Sequence, residues 1–296
     1  MTETVKVLIF GASGMLGHKL YQVATEERHD VSACMRQPLD VFSKFNIFDR
    51  HQTYDNVDIR IQSDFQKVIA KTRPDVVVNC AGLVKPRATD EVETIQVNSL
   101  FPHRLAQSCG LSGTRLVQIS TDCVFSGTRG QYSESSVPDP VDLYGLTKLL
   151  GEVSYGSNLI IRTSMIGREL GTRRNLIEWL LSQTGEVRGF TNAIFSGLTT
   201  RALSRVVLKL ASIGASGLVH VGTEPTSKYD LLRLVKRSFR LGNISIVPCA
   251  DEKTDRSLAC PRVNAMGIAV PSMQMMVDEM AKENEFYRRA GQHCAN

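Results

Sequence analysis

The stretch that decides the fold is Val5-Lys-Val-Leu-Ile-Phe-Gly-Ala-Ser-Gly-Met-Leu-Gly17, close to the start of the chain. Its first six residues are mostly apolar and β-branched, which is typical of a strand buried in a parallel sheet. Three glycines follow at spacings of three, and an amphipathic helical pattern continues to Glu27. A strand, a glycine-rich turn and a helix in this order predict a turn that binds the phosphates of a dinucleotide.

Each glycine of this turn has a separate expected role. Gly11 permits the tight turn, Gly14 lets the backbone approach a pyrophosphate, and Gly17 allows close packing of helix on strand. The N–H groups at the start of the helix favour an anion. The spacing is G-x-x-G-x-x-G rather than G-x-G-x-x-G, so a glycine-rich turn without a ligand is the alternative. The residues expected at the cofactor phosphates are Gly11, Ser13, Gly14, Met15, Leu16 and Gly17.

The adenosine end of the cofactor is expected beside the second and third strands. The second, 30–36, ends in Arg36, where many NAD-binding proteins carry an acidic residue. A guanidinium suits a 2′-phosphate and favours NADPH over NADH, although an ordinary surface arginine is the alternative. A third strand over 57–61 leads to Asp64 and Phe65, which we expect at the adenine. Asp64 could equally cap the helix that follows.

Small and polar residues end the next two predicted strands, at 75–82 and 114–122. The carboxyl ends of parallel strands carry the ligands in open α/β sheets, so we expect a site there. Between the two strands, a helix over 93–108 carries one polar residue, Asn98, that can face this site. The residues expected near the cofactor or the chemistry are Cys80, Ala81, Gly82, Ser120, Thr121 and Asp122.

Tyr144-Gly-Leu-Thr-Lys148 places a phenol and an ammonium one helical turn apart on the same face. In a cofactor cleft, such a pair can act as a proton donor and the cation that tunes it. Taken alone the spacing is weak, because most such pairs are a half-buried aromatic residue beneath a solvated cation.

Composition limits the remaining function classes. The 296 residues are 42% hydrophobic and 22% charged, and the net charge of +5 is spread along the chain without a basic tail. We therefore expect no nucleic-acid partner. The seven cysteines show no zinc-ligand spacing, so no metal site is expected, and free thiols fit a reducing compartment. No signal peptide and no membrane span are recognisable, which predicts a cytoplasmic protein.

The ordered set of motifs resembles the extended short-chain dehydrogenase/reductase family. The run Ser120-Thr-Asp-Cys-Val-Phe-Ser-Gly127, followed by Leu143-Tyr-Gly-Leu-Thr-Lys-Leu-Leu-Gly-Glu152, is similar to the dTDP-4-dehydrorhamnose reductase group within it. The resemblance implies an α/β fold, a Rossmann-type doubly wound parallel sheet with a smaller C-terminal α/β lobe. We expect residues 1–167 to bind NADP(H), with NAD(H) as the alternative. Residues 168–296 would form the substrate lobe, partly interwoven with the first domain.

The chemistry implied is reduction of the 4-keto group of a nucleotide-linked 4-keto-6-deoxy sugar, in the synthesis of cell-surface polysaccharide precursors. Tyr144 would donate a proton to the developing alkoxide, and Lys148 would lower the pKa of that phenol and hold the nicotinamide ribose. Thr121 would hydrogen-bond the carbonyl, with Ser120 as the second candidate. By resemblance, Asn98 would support a water molecule and the lysine in a proton relay.

The chain departs from the reductase pattern where the sugar should bind. Cys123 stands where these reductases generally carry a tyrosine, and Leu83-Val-Lys-Pro-Arg87 differs from their usual sequence. These departures put the identity of the sugar in doubt. Arg256 and the 261–262 segment resemble the region that contacts the substrate diphosphate, with a solvated surface loop as the alternative. The expected substrate-binding residues are Lys85, Asp122, Cys123 and Arg262.

Two other functions remain open. A nucleotide-sugar epimerase or dehydratase would use the same fold, but dehydratases resembling this family generally need a second carboxylate where Cys123 stands. A non-catalytic NADP-binding subunit, like the regulatory subunit of methionine adenosyltransferase, would not need the set of Thr121, Tyr144 and Lys148. A homodimer is a further expectation.

Overall fold

The centre of the protein is a seven-stranded sheet in which all neighbouring strands are parallel. The structure is a computed structural model and describes residues 4–84 and 90–291. Its strands are β1 (Lys6–Phe10), β2 (Asp30–Cys34), β3 (Thr53–Tyr54), β4 (Val76–Asn79), β5 (Arg115–Ile119), β6 (Leu159–Thr163), β7 (Met165–Ile166), β8 (Gly185–Phe195), β9 (Leu198–Thr199), β10 (Gly217–Val221), β11 (Thr226–Ser227) and β12 (Ile244–Asp255). The central sheet has the order β10-β6-β5-β4-β1-β2-β3. This is the predicted doubly wound α/β fold.

Helices cover both faces of this sheet. They are α1 (Met15–Glu26), α2 (Gln62–Thr72), α3 (Glu91–Ile95), α4 (Phe101–Leu111), α5 (Leu143–Leu150), α6 (Leu176–Leu181), α7 (Thr200–Ser212), α8 (Lys228–Ser238), α9 (Pro261–Ala265), α10 (Met273–Lys282) and α11 (Asn284–Arg289). A π-helical stretch, Gln96–Leu100, joins α3 to α4. Among the described residues, no helix is long and apolar enough to cross a membrane.

The two faces of the sheet have separate cores because successive side chains of a strand point to opposite sides. Val7 and Ile9 of β1 join one core, which also contains Leu20 of α1. Leu8 and Phe10 join the other. In the second core the rings of Phe10, Phe65 and Phe101 meet edge to face, with centroids 5.3–6.4 Å apart. Both faces of β1 are therefore buried, which explains why its residues form a continuous apolar run.

The strand order reverses between β1 and β4, and this reversal opens a crevice at the carboxyl ends of the strands. Gly11 enters the turn there with φ of +74°, and a Cβ atom on it would lie 2.7 Å from the nitrogen of Ala81. A Cβ atom on Gly17 would lie 2.1 Å from the carbonyl oxygen of Gly11. Glycine is required at both positions, one for backbone conformation and close approach and the other for packing.

The region after residue 167 contains a smaller sheet with the order β11-β8-β12. Strands β8 and β12 run parallel, with a register shift between Cys249 and Lys253. The same region also returns to the central sheet, where β10 forms the edge strand beside β6. The central sheet therefore contains strands from both sides of the boundary predicted at residue 167. The division into two domains stays a prediction.

Several predicted elements differ from the observed ones. The third strand is Thr53–Tyr54 rather than 57–61, because the chain turns at 58–61 before α2. The helix predicted over 93–108 is divided by the π-helical stretch. The sequence pattern over 274–290 predicts one final helix, whereas the structure has two, α10 and α11. The pattern over 188–196 predicts a loop or an edge strand, whereas residues 188–195 belong to β8, the central strand of the smaller sheet.

Gly145, in the first turn of α5, and Gly151, directly after its last residue, allow a prediction on stability. A Cβ atom on Gly145 would lie 2.2 Å from the carbonyl oxygen of Cys123, and one on Gly151 would lie 2.0 Å from that of Asn98. Because backbone atoms cannot yield locally, we expect Gly145→Ala and Gly151→Ala each to lower the free energy of unfolding by about 1–3 kcal/mol. Urea denaturation measures this loss.

Gly110 is the matched control, since a Cβ atom there meets nothing within 4 Å of it on α4. Gly110→Ala should leave stability unchanged or raise it by up to about 1 kcal/mol through helix propensity. Equal effects of all three substitutions would contradict the close approaches around α5.

Candidate active site

The glycine turn presents unshielded backbone N–H groups at the start of α1. Gly14 is the N-cap of α1 and supplies no side-chain cap, and the first turn contains no acidic residue. The turn is closed by a 2.9 Å hydrogen bond from the nitrogen of Gly14 to the carbonyl oxygen of Gly11. The exposed N–H groups and the positive end of the helix dipole suit the pyrophosphate of a dinucleotide.

A cavity of about 220 Å³ extends from this turn to α5. We call it the cofactor cleft. Its lining residues are Ser13, Gly14, Met15, Leu16, Gln37, Phe42, Cys80, Ala81, Gly82, Val84, Ile119, Ser120, Tyr144, Lys148, Met165, Glu169, Leu170, Thr172, Arg174 and Asn175. A larger, open depression of about 1120 Å³ lies at the opposite edge of the sheet, beside Val5, Asp75 and Arg115. It contains none of the predicted site residues.

Tyr144 lies in the first turn of α5, whose start is capped by Asp142. The Oδ1 atom of Asp142 accepts a 2.8 Å hydrogen bond from the nitrogen of Gly145. Burial raises the pKa of the Tyr144 phenol above its usual value, and the nearby Cys123 and Asp122 also raise it, whereas a hydrogen bond with Thr121 lowers it. The chain alone therefore does not lower the pKa of Tyr144, contrary to the sequence-based expectation, because desolvation dominates.

Lys148 is buried and reaches across to the central sheet. Its Nζ atom donates a 2.6 Å hydrogen bond to the carbonyl oxygen of Ile119, the last residue of β5. Burial lowers the pKa of this ammonium from 10.5 to about 8, and Glu152 and Cys80 oppose that change. The lysine thus titrates close to physiological pH while its position is fixed by the backbone.

Asn98 lies in the π-helical stretch, a feature that is frequent at functional sites. Its Oδ1 atom accepts a 2.8 Å hydrogen bond from the nitrogen of Leu83, and its Nδ2 atom donates to the carbonyl oxygen of Leu83 and to the hydroxyl of Thr147. The amide therefore fixes the chain after β4. A Cβ atom on Gly82 would lie 3.4 Å from Asn98 Oδ1 and 3.9 Å from Lys148 Nζ, so the amide also lies near the lysine.

Thr121 and Asp122 form a short turn directly after β5. The Oγ1 atom of Thr121 accepts from the nitrogen of Cys123 at 3.1 Å and donates to Oδ1 of Asp122 at 3.2 Å. Burial raises the pKa of Asp122, and the cations Lys228 and Arg256 oppose that rise. Three predicted residues, Thr121, Asp122 and Cys123, are thus brought together beside Tyr144.

Two cations of the C-terminal region approach this turn. The Nζ atom of Lys228 lies 3.9 Å from the ring centroid of Phe195. The Nε atom of Arg256 donates to the carbonyl oxygen of Phe125 at 2.9 Å. Sequence reasoning quoted Arg256 only through the resemblance and missed Lys228. Ser227 is a typical N-cap residue and predicts a helix start there, but no sequence signal links Lys228 to a turn more than 100 residues earlier.

The segment after β7 forms a wall of the cofactor cleft that sequence reasoning also missed. Glu169 closes this segment into a loop, since its carboxylate accepts hydrogen bonds from the backbone nitrogens of Arg174 and Asn175 at 2.8 and 3.1 Å. The sequence signal that could have indicated this wall is the pair of adjacent arginines, Arg173 and Arg174, before α6. The sequence also predicts that the stretch 162–164 approaches the nicotinamide, and this stays a prediction; Met165, the next residue, lines the cleft.

At the predicted adenosine end, Arg36 is exposed and donates to Glu93 at 3.3 Å. Arg60 donates to the same carboxylate oxygen at 3.2 Å. Asp64 lies in the first turn of α2. The ring of Phe65 is fully buried in the core, so only its backbone could contact a cofactor. None of these predicted residues lines the cleft.

Two predicted substrate residues are not placed at this site. Arg262 donates to the carbonyl oxygens of Leu218 and Ser216, where it closes the edge of the central sheet, and it does not line the cofactor cleft. Lys85 lies outside the residues that the structure describes. Within those residues, no group of three or more His, Cys, Asp or Glu side chains could hold a metal ion.

Fold and site together define a dinucleotide-binding α/β protein whose cleft ends at a tyrosine, a lysine and a neighbouring threonine. A family model described as the RmlD substrate binding domain matches residues 5–286. The chain belongs to this family. The resemblance to dTDP-4-dehydrorhamnose reductases is thereby confirmed at the level of the family.

Characterised relatives are similar over most or half of the chain. A dTDP-4-keto-6-deoxy-D-glucose reductase of Streptomyces niveus is 28% identical over 277 residues, which is 89% of each chain. A dTDP-4-dehydrorhamnose reductase of Streptomyces griseus is 35% identical over 170 residues, 54% of this chain and 49% of that one. Methionine adenosyltransferase 2 subunit beta of Bos taurus is 33% identical over 150 residues, 50% of this chain and 41% of that protein.

Solved structures show the same fold. A dTDP-4-dehydrorhamnose reductase of Bacillus anthracis, determined in complex with NADP, has a TM-score of 0.79 at 23% identity and covers 95% of this chain and 100% of that one. A protein of the same name from Clostridium acetobutylicum also has a TM-score of 0.79, at 22% identity, over 95% and 99% of the two chains.

The buried ammonium of Lys148 generates a prediction on stability. Below pH 8 both states are protonated, so the folded state carries the full cost of burying the charge. Between pH 8 and 10.5 the unfolded state binds more protons, so stability rises with pH. We expect Lys148→Met to raise the free energy of unfolding at pH 7 by about 1–3 kcal/mol, with the gain shrinking towards pH 10.

Urea denaturation at several pH values measures this gain. Lys67→Met is the matched control, because Lys67 is exposed on α2. Its effect should not change with pH over the same interval. A Lys148→Met variant that is less stable than the parent at every pH would contradict the description of a costly buried charge.

Proposed function

We propose that this chain is an NADPH-dependent reductase of the 4-keto group of a nucleotide-linked 4-keto-6-deoxy sugar. The observation that carries the proposal is the position of Thr121, Tyr144 and Lys148 at the end of a cleft that begins at a phosphate-binding turn. Membership of the family and the similarity to two sugar-nucleotide reductases support it. A role in cell-surface polysaccharide precursor synthesis belongs to the same proposal.

The residues of the chain have separate tasks in this reaction. When bound, the reduced nicotinamide supplies the hydride. Tyr144 donates the proton that the developing alkoxide needs, and the hydroxyl of Thr121, its hydrogen-bond partner, holds the carbonyl in reach. Lys148, fixed on Ile119, provides positive charge beside the cleft and holds the cofactor ribose. Burial of these groups strengthens their electrostatic effect on the transition state.

The cleft fits a dinucleotide phosphate. Gly14 and Gly11 leave no side chain between the backbone and a ligand, and the first turn of α1 lacks an acidic residue. NADP is favoured over NAD because Arg36 and Arg60 both lie beyond β2 and share one carboxylate partner, Glu93. A 2′-phosphate could replace that carboxylate in charge-assisted hydrogen bonds.

The substrate side of the site is formed by the turn after β5 and by Lys228. No carboxylate among the described residues forms an ion pair with Lys228, although Asp122 influences its pKa. A cation held this way beside Tyr144 suits an oxygen-rich, anionic substrate such as a nucleotide sugar. Lys85, Asp122 and Cys123 stay predicted substrate contacts.

Two further expectations stay predictions. A homodimer would need an apolar surface, and α5 exposes Leu146 and Leu150 one turn apart. The neighbouring α3 exposes Val92 and Ile95. Size measurement in solution tests this expectation. The absence of a nucleic-acid partner and the cytoplasmic location likewise rest on the sequence.

A regulatory subunit is the second candidate function, favoured by the similarity to methionine adenosyltransferase 2 subunit beta over half of this chain. An epimerase or dehydratase would convert the sugar without net consumption of the reduced cofactor.

The assay is to mix the purified protein with NADPH and a panel of nucleotide-linked 4-keto-6-deoxy sugars and follow the absorbance of NADPH. No turnover with any sugar, together with tight binding to a methionine adenosyltransferase catalytic subunit, would reject the reductase.

Tyr144→Phe tests the proton donor. We expect turnover to fall at least about 100-fold, because general acid catalysis contributes that much, while NADPH binding changes less than about threefold. Tyr155→Phe is the matched control, since Tyr155 is exposed, contacts His103 and does not line the cleft. Turnover of Tyr144→Phe equal to that of the control would remove the assigned role.

Arg36→Ala tests the cofactor preference. Loss of a charge-assisted contact to a 2′-phosphate should weaken NADPH binding about tenfold or more and change NADH binding less than about twofold. Fluorescence titration with each cofactor measures the two affinities. Arg233→Ala, at an exposed arginine of α8, is the control for a general loss of positive charge. Equal losses for NADPH and NADH would exclude the proposed contact.

A further inference from the structure

A buried polar cluster lies behind the cofactor cleft, formed by Ser120, Glu152 and Arg162. The Oε1 atom of Glu152 accepts a 2.6 Å hydrogen bond from the hydroxyl of Ser120 and a 2.8 Å hydrogen bond from Nε of Arg162. Its Oε2 atom accepts from NH2 of Arg162 at 2.7 Å. The side chains of Arg162 and Glu152 are 5% and 9% exposed. The carboxylate is therefore held in one orientation by three donors.

This cluster is joined to the cleft at two points. Ser120 itself lines the cleft, next to Ile119, whose carbonyl oxygen binds Lys148. Glu152 follows α5 and stands four residues after Lys148, which in turn stands four residues after Tyr144. Because α5 ends at Leu150, this carboxylate is placed by its hydrogen bonds with Ser120 and Arg162 rather than by the helical spacing.

The hydrogen bond to Glu152 decides what Ser120 can do. A hydroxyl has one proton, and the proton of Ser120 is directed to the carboxylate at 2.6 Å. The oxygen that faces the cleft can then only accept hydrogen bonds. Ser120 is therefore less suited than Thr121 to donate to a substrate carbonyl, because the Thr121 hydroxyl is held by Asp122 only at 3.2 Å.

Glu152 is also the one charged neighbour that stabilises the ammonium of Lys148 within the described chain. Burial opposes the charged form, and Cys80 and Glu152 are the groups that favour it. Burial raises the pKa of the Cys80 thiol to about 12 and raises that of Tyr144 as well, so both are neutral near pH 8. Asn98, close by, is uncharged, and Arg162, although paired with Glu152, is not among the groups that shift the pKa of Lys148.

We propose that Glu152 is a positioning residue of this active site, whose buried carboxylate fixes the Ser120 hydroxyl as an acceptor and keeps Lys148 in its charged form. The proposal deepens the proposed reductase function and rests on it for its catalytic meaning. The arrangement of the cluster itself does not depend on the identity of the substrate. An experiment on the protein without substrate can therefore separate the two.

The direct test is the titration of Lys148 in the full chain, followed by NMR of protein labelled with ¹³C at lysine Cε and assigned with Lys148→Met. Glu152→Gln keeps the size of the side chain and removes its charge. We expect the midpoint of Lys148 to fall by about one pH unit, as loss of a close opposite charge does. Glu152→Asp keeps the charge and should stay within about half a unit of the parent.

Ser120→Ala is the matched control for damage to the cluster. It removes a hydrogen bond to Glu152 but not the negative charge, so the midpoint of Lys148 should not move. A Glu152→Gln midpoint equal to that of the parent would overturn the proposal. Equal falls in Glu152→Gln and Ser120→Ala would overturn it too, since they would indicate general loosening rather than charge.

Glu152→Gln leaves Arg162 without its counter-charge, which can prevent folding. The double variant Glu152→Gln with Arg162→Met removes both charges together and keeps the test usable. It should fold, as judged by thermal unfolding, and the midpoint of Lys148 should still be lower than in the parent.

If the enzyme turns over substrate, the alkaline limb of the pH profile of kcat/KM should move by the same amount as the lysine midpoint. A loss of kcat/KM that is equal at every pH would instead indicate a structural role and reject the proposal.

Discussion

The hydrogen bond from the Lys148 ammonium to the carbonyl oxygen of Ile119 ties the helix of the site to the end of a central strand. Several parts of the site meet at this contact. The same helix carries Tyr144, one turn earlier, beside the turn formed by Thr121. Because the carbonyl belongs to β5, its position is set by the pairing of that strand with β4 and β6. The glycine turn is linked to the same region through the close approach of Gly11 to Ala81.

Helix α5 is too short to be stable as an isolated helix, so tertiary contacts must stabilise it. Asp142 caps its first turn, and the hydroxyl of Ser99 donates a 2.8 Å hydrogen bond to the carbonyl oxygen of Thr147. Gly145 and Gly151 let it lie against neighbouring backbone at both ends. These contacts explain why a charged lysine can be buried there, since the helix cannot easily move to expose it.

Local sequence patterns predicted the parts of the site that one segment encodes. The glycine turn, the pair of Tyr144 and Lys148 and the polar end of β5 all carry their chemistry within a few residues. Partners from distant segments could not be predicted in the same way. Lys228 and the wall at 165–175 reach the site only after the chain folds back, and their own sequence context does not indicate which part of the protein they will meet. The short β3 was also misplaced, because the alternating apolar pattern at 57–61 belongs to a turn in which Val57 is buried and Ile61 is 50% exposed.

The electrostatics of the site have a consequence for ligand binding. Burial lowers the pKa of both Lys148 and Lys228, so the free protein holds two cations that desolvation disfavours. Burial raises the pKa of Asp122, so this carboxylate too is held in an unfavourable form when charged. A ligand that brings negative charge to the cationic side relieves part of that cost and adds the relief to its own affinity. An anionic cofactor and an anionic substrate would therefore each bind more tightly than their direct contacts alone imply. This electrostatic contribution to binding is already present in the folded chain before either ligand binds.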